Sequence, residues 1–85
     1  MTKREKERAI ACVREAKAEK ERKAEYLLGK ADAEHHWLKP EVAKKLGTDR
    51  ALVGRRIRKL VDEATHATYD AAALGALLAH LNGEG

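Results

Sequence analysis

The chain contains a single proline, at position 40, and a glycine follows it seven residues later at Gly47. That spacing leaves the middle of the chain few local structures to choose from. Proline has no N–H to donate, so it fits the first turn of a helix, where the missing donor costs nothing. Glycine takes the positive φ of a sharp helix exit without a Cβ clash. Between the two, Val42, Ala43 and Leu46 give a short helix one apolar side. Thr48 or Asp49 can then cap a second helix by accepting from its free N–H groups. In that second helix Val53, Ile57 and Leu60 recur at i, i+4 and i+7 and form an inward stripe. Ala51, Arg55, Arg58 and Asp62 fall on the opposite side, flanked by Gly54 and Lys59.

The charge of this stretch is one-sided. Residues 39–61 hold eight cations (Lys39, Lys44, Lys45, Arg50, Arg55, Arg56, Arg58 and Lys59) against Glu41 and Asp49, a net of +6. Residues 1–38 net only +2 and residues 62–85 net −4, so the chain total of +4 hides a local basic patch. A cationic helix pair suits a polyanion, because each neutralised phosphate releases condensed counterions.

At these residues the chain resembles the helix-turn-helix DNA-binding domains. Ala43 and Gly47 match that family's small residue in the first helix and its turn glycine. Val53, six residues after Gly47, matches the apolar position that seats the recognition helix. The V-x-x-x-I-x-x-L spacing from Val53 to Leu60 looks most like the winged-helix branch. The match spans about a quarter of the chain. Two departures stand out: Ala64 occupies the place after the recognition helix where winged domains usually have glycine, and 65–70 is too short for a two-stranded wing. The resemblance implies an all-α fold with a tri-helical helix-turn-helix core and at most a vestigial wing. It also implies that the helix 49–63 enters the major groove with its first half on base edges. Thr48, Asp49, Arg50, Ala51, Gly54 and Arg55 then become the base-reading surface, while Lys39, Lys44, Lys45, Arg58 and Lys59 hold phosphates. Arg56, at the edge of the apolar stripe, is as well placed to pair with an acid on the first helix.

Around this core the chain divides into a charged N-terminal helix (1–28; an arm or a partner of the core), the helix-turn-helix core (29–64), and a loop with a C-terminal packing or dimerisation helix (65–85). Thr2 and Glu5 have capping-box spacing, and no Pro or Gly interrupts the chain from there to Leu28. Glu19–Lys23 has the favourable i, i+4 order and Lys17–Glu21 the weaker one. Lys17 and Lys20 sit where a continuous apolar seam would run, which argues against a long coiled coil. Gly29 is expected to end or bend this helix. Trp37 is expected to plug the core against Tyr26, Leu27 and Leu46. Beyond a loop at 64–69, Asp70 suits the N-cap of a last helix. Leu74, Leu77, Leu78 and Leu81 stripe that helix, and Ala71, Gly75 and Ala79 form a small-residue row beside them. That stripe needs cover: it either folds back on the chain's own helices or pairs with its twin, and a homodimer through the C-terminal helix is the favoured means, since operators are often two-fold.

Little else points to chemistry. Cys12 is the sole cysteine, sits among alanines and reads as a small packed residue; no intrachain disulfide is possible. His35, His36, His66 and His80 have no metal-ligand spacing, there is no serine, and no phosphate-cradling glycine loop occurs. The expectation is therefore no enzyme, no metal, no cofactor and no evident small-molecule substrate. No apolar run approaches membrane-spanning length and no secretory signal pattern is present. A cytoplasmic protein follows as the expectation, nucleoid-associated in a bacterium or phage. The function expected is a small sequence-specific double-stranded DNA-binding protein, a regulator of transcription in the sense of a repressor or accessory factor. A helical protein–protein interaction module is the alternative, and RNA binding a weaker one.

Overall fold

The structure, a computed structural model, describes residues 2–83. Helix α1 spans Lys3–His35, a single 3-10 turn covers His36–Leu38, helix α2 spans Pro40–Leu46, and helix α3 spans Arg50–Leu81. The fold is all-helical, with no strand among the described residues. α1 and α3 are of nearly equal length, 33 and 32 residues, and lie against each other as an antiparallel hairpin. The result is a rod of 63 × 17 × 14 Å. Its radius of gyration is 19.0 Å, whereas a compact domain of this length would have about 12 Å.

A seven-residue repeat explains the pairing. On α3 the positions Val53, Ile57, Leu60, Ala64, Ala67, Ala71, Leu74, Leu78 and Leu81 alternate by four and three. On α1 the matching series is Ile10, Val13, Lys17, Lys20, Ala24, Leu27, Ala31 and Glu34. Two helices that keep this period hold one seam toward each other along their length. The buried residues of the long helices fall on it: Ala24, Leu27 and Ala31 from α1, and Val53, Ile57, Ala64, Ala67 and Ala71 from α3. Ala31, Val53 and Ile57 form the core cluster, with Leu38 and Leu60 packed against it. Val53 is the best buried large side chain, 1% exposed.

Four expectations from the sequence need correction here. First, α1 does not end at Gly29 but continues to His35. A mid-helix glycine costs about 1 kcal/mol relative to alanine, and the packing of Leu27 and Ala31 on α3 more than offsets it. Second, there is no loop at 64–69 and no separate C-terminal helix capped by Asp70, because α3 is continuous. The seam keeps its phase through Ala64, Ala67 and Ala71. The Thr65 and Thr68 hydroxyls donate to the carbonyls of Val61 and Ala64, so these side chains do not draw backbone groups out of the helix. The divisions at 28/29 and 64/65 thus fall inside unbroken helices.

Third, the two lysines that interrupt the apolar seam do not prevent a long helix pair. Lys17 lies over Gly75, where an added Cβ would stand 3.2 Å from its Cε, so the glycine opposite makes room for the lysine stem. Lys20 reaches Asp70 at 3.4 Å across the hairpin. Glu34, the acid at the far seam position, pairs with Arg56 at 3.0 Å. Lys17 also pairs with Glu21, so among the described residues the weaker i, i+4 order is the one occupied and Glu19–Lys23 is not. Fourth, Trp37 is no core plug. It is 38% exposed and meets the His36 ring edge-on, while Leu38 takes the inward place. Tyr26 and Leu46, its expected neighbours, are more exposed still. Cys12 is likewise exposed rather than packed.

Thr2 caps α1 as its spacing predicts, accepting from the Glu5 N–H while Glu5 receives the Thr2 N–H. No helix among the described residues is long and apolar enough to cross a membrane.

Candidate nucleic-acid interface

The cationic stretch occupies the end of the rod where the chain turns back. Pro40 stands in the first turn of α2, following Lys39 in extended conformation. Gly47 closes α2 at φ 65, and the Thr48 N–H donates to the Ala43 carbonyl at 3.0 Å. This left-handed exit lets three residues turn the chain from α2 into α3. Asp49 then caps α3: its Oδ1 accepts from the Ala51 N–H at 3.0 Å and the Leu52 N–H at 3.3 Å. Of the two capping candidates, Asp49 is the one used. Its carboxylate is thereby partly committed to holding the start of the helix that it was expected to help read bases from.

Val53, Ile57 and Leu60 seat this end of α3 on α1 and the 3-10 turn, as their spacing predicts. The outer side is then left to Ala51, Arg55, Arg58 and Lys59, all exposed. Arg50 is exposed at the tip, as are Lys39, Lys44 and Lys45 around α2; Thr48 is half-buried. Gly54 has no atom within 4 Å of where a Cβ would lie, so its flank is open. Few of the cations are held in ion pairs among the described residues. Among the described residues, Lys17, Lys20 and Arg56 form ion pairs, whereas Lys39, Lys44, Lys45, Arg50, Arg55, Arg58 and Lys59 form none. Arg56 is therefore tied to Glu34, through both its Nε and its Nη2.

α1 adds residues that the sequence reading did not place here. A groove of about 490 Å³ runs beside α3, and Lys23 of α1 lines it together with Arg55, Arg58 and Lys59, with the acids Asp62, Glu63 and Asp70 also in its wall. Lys30 joins a second groove with Arg56 and Lys59. The signal for both was present: Lys23 and Lys30 lie seven apart, one place before the seam residues Ala24 and Ala31, and so share a flank of α1. The dimerisation candidates Leu74, Gly75, Leu77, Leu78 and Leu81 sit at the other end of the rod; Leu77 is exposed and the rest are half-buried. All four histidines are exposed. Comparison with models of protein families, with curated proteins and with solved structures finds no match to this chain.

Proposed function

We propose that this protein binds double-stranded DNA through the turn end of the rod and acts as a sequence-specific regulator. The end of α1, α2 and the first half of α3 serve as a tri-helical helix-turn-helix unit, extended by the hairpin behind it. The observation that carries the reading is the concentration, around α2 and on the first half of α3, of seven exposed cations in no ion pair among the described residues, with only Glu41 and Asp49 among them. A guanidinium already held by a carboxylate would have to give up that partner before meeting a phosphate or a guanine. These seven have none to lose.

In this reading α3 enters the major groove with its outer side, away from α1. Arg50 or Arg55 donates in bidentate fashion to guanine O6 and N7, Ala51 meets a thymine methyl, and Gly54 brings the backbone close. Lys39, Lys44, Lys45, Arg58 and Lys59 set the register on phosphates. Anisotropy titrations with random and genomic duplexes at 50 and 200 mM salt test it. Five phosphate contacts give about a 500-fold loss of affinity between the two. Arg55→Ala should cost about 1–3 kcal/mol and relax preference at one base pair, while Lys44→Ala should weaken all duplexes alike and flatten the salt slope. Binding that shows no salt dependence, or equal losses on every duplex for both variants, would refute sequence-specific recognition.

A further inference from the structure

We infer that the half of the rod remote from the turn, α1 up to Arg22 with α3 from Ala72, is a self-association surface, and that it takes a second copy of this chain to complete a four-helix bundle. Every residue of α1 and α3 that is fully buried lies at 24–31 or 53–71. Beyond them the most apolar part of the chain is poorly covered: Leu74, Leu78 and Leu81 are half-buried and Leu77 is 45% exposed. The α1 seam opposite offers only Ile10, Val13 and the stem of Lys17.

Area gives the size of the shortfall. The chain exposes 6533 Å², while a compact monomer of its mass would expose about 5,000 Å². The excess, on the order of 1,500 Å², exceeds the roughly 800 Å² that each partner hides in a standard interface. Charge indicates which partner. From Thr65 to Leu81 α3 carries one charge, Asp70, and Lys20 already neutralises it. On α1 the cations and acids of 3–22 are interleaved, so no concentrated field is there to attract a strongly charged partner. A second copy brings the same leucines and the same lack of cover, and one two-fold contact buries both.

This inference does not rest on the DNA reading. Leu77 lies about 33 Å along α3 from Arg55. Sedimentation equilibrium of the full chain without DNA, with far-UV circular dichroism, tests it. The wild type should be dimeric, and Leu77→Asp should weaken association about 100-fold, because each interface loses two leucines. Leu28→Asp, at a 47% exposed leucine on the half nearer the turn, should remain dimeric. Should Leu77→Asp lose helicity, Leu77→Ala keeps helix propensity and should still weaken association about 10-fold. A wild type that stays monomeric at every concentration overturns the inference. So does a dimer indifferent to residue 77, or one that Leu28→Asp dissociates instead.

Discussion

Three glycines lie inside helices, and their surroundings differ enough to predict different outcomes for the same substitution. At Gly29 and Gly54 an added Cβ meets no atom within 4 Å. At Gly75 it would stand 3.2 Å from Lys17 Cε and 3.9 Å from Lys17 Cδ. None of the three has the positive φ that would strain an alanine. Gly29→Ala and Gly54→Ala should therefore each recover the helix-propensity difference, about 0.8–1.0 kcal/mol. For a chain of this size that is about 4–8 °C in Tm. Gly75→Ala should gain less, since the lysine stem must move aside to admit the methyl. Thermal melts of the full chain at one fixed concentration measure all three, because self-association would make Tm concentration-dependent. Gly54→Ala has a second readout. A methyl on the side of α3 that approaches a duplex should lower DNA affinity about 5- to 150-fold, by analogy with the 1–3 kcal/mol cost of overpacking. Gly29→Ala should leave affinity unchanged. A Gly54→Ala protein that gains no stability would refute the open-flank geometry. One that gains stability and binds DNA as well as the wild type would refute close approach at this position.

Other substitutions probe single links. Asp49→Ala removes the cap that holds the Ala51 and Leu52 N–H groups and should cost about 0.5–2 kcal/mol by urea titration. Val53→Ala, at the best buried large side chain, should cost about 2–3 kcal/mol by the same measurement. Breaking the Arg56–Glu34 pair with Arg56→Gln should cost no more than about 1 kcal/mol, since both side chains are partly solvated; a larger loss would mean that the pair fixes the register of the hairpin. Lys23→Ala should reduce the salt dependence of DNA binding by about one contact if the phosphate track extends onto α1, and duplex titrations at several salt concentrations read this directly.

What could be read from the sequence was what is decided within a few residues. The Thr2–Glu5 box, Pro40 at a helix start, Gly47 at a left-handed exit and the Asp49 cap each depend on groups no more than four residues away. The inward stripe of Val53, Ile57 and Leu60 is also local in cause. Whether a helix passes through a weak point is settled instead by the helix beside it. Gly29 and the Ala64–Asp70 stretch look like breaks only when that neighbour is left out. The repeat that would have supplied it was obscured by Lys17 and Lys20, whose accommodation depends on Gly75 and Asp70, fifty or more residues on in the chain. The candidate site follows the same division. Its exposed arginines follow from one helical wheel, whereas Lys23 joins them only because the hairpin lays α1 alongside α3.

The absence of a joint between Arg50 and Leu81 has a further consequence. The arginines at one end of α3 and the leucines at the other are mounted on one shaft, so their azimuths are locked together. Deleting a single residue near Ala67 would rotate one end against the other by about 100° and draw them about 1.5 Å closer. An excision of seven, matched in α1, would leave both ends facing nearly as before, about 20° off. The length of this molecule is therefore quantised.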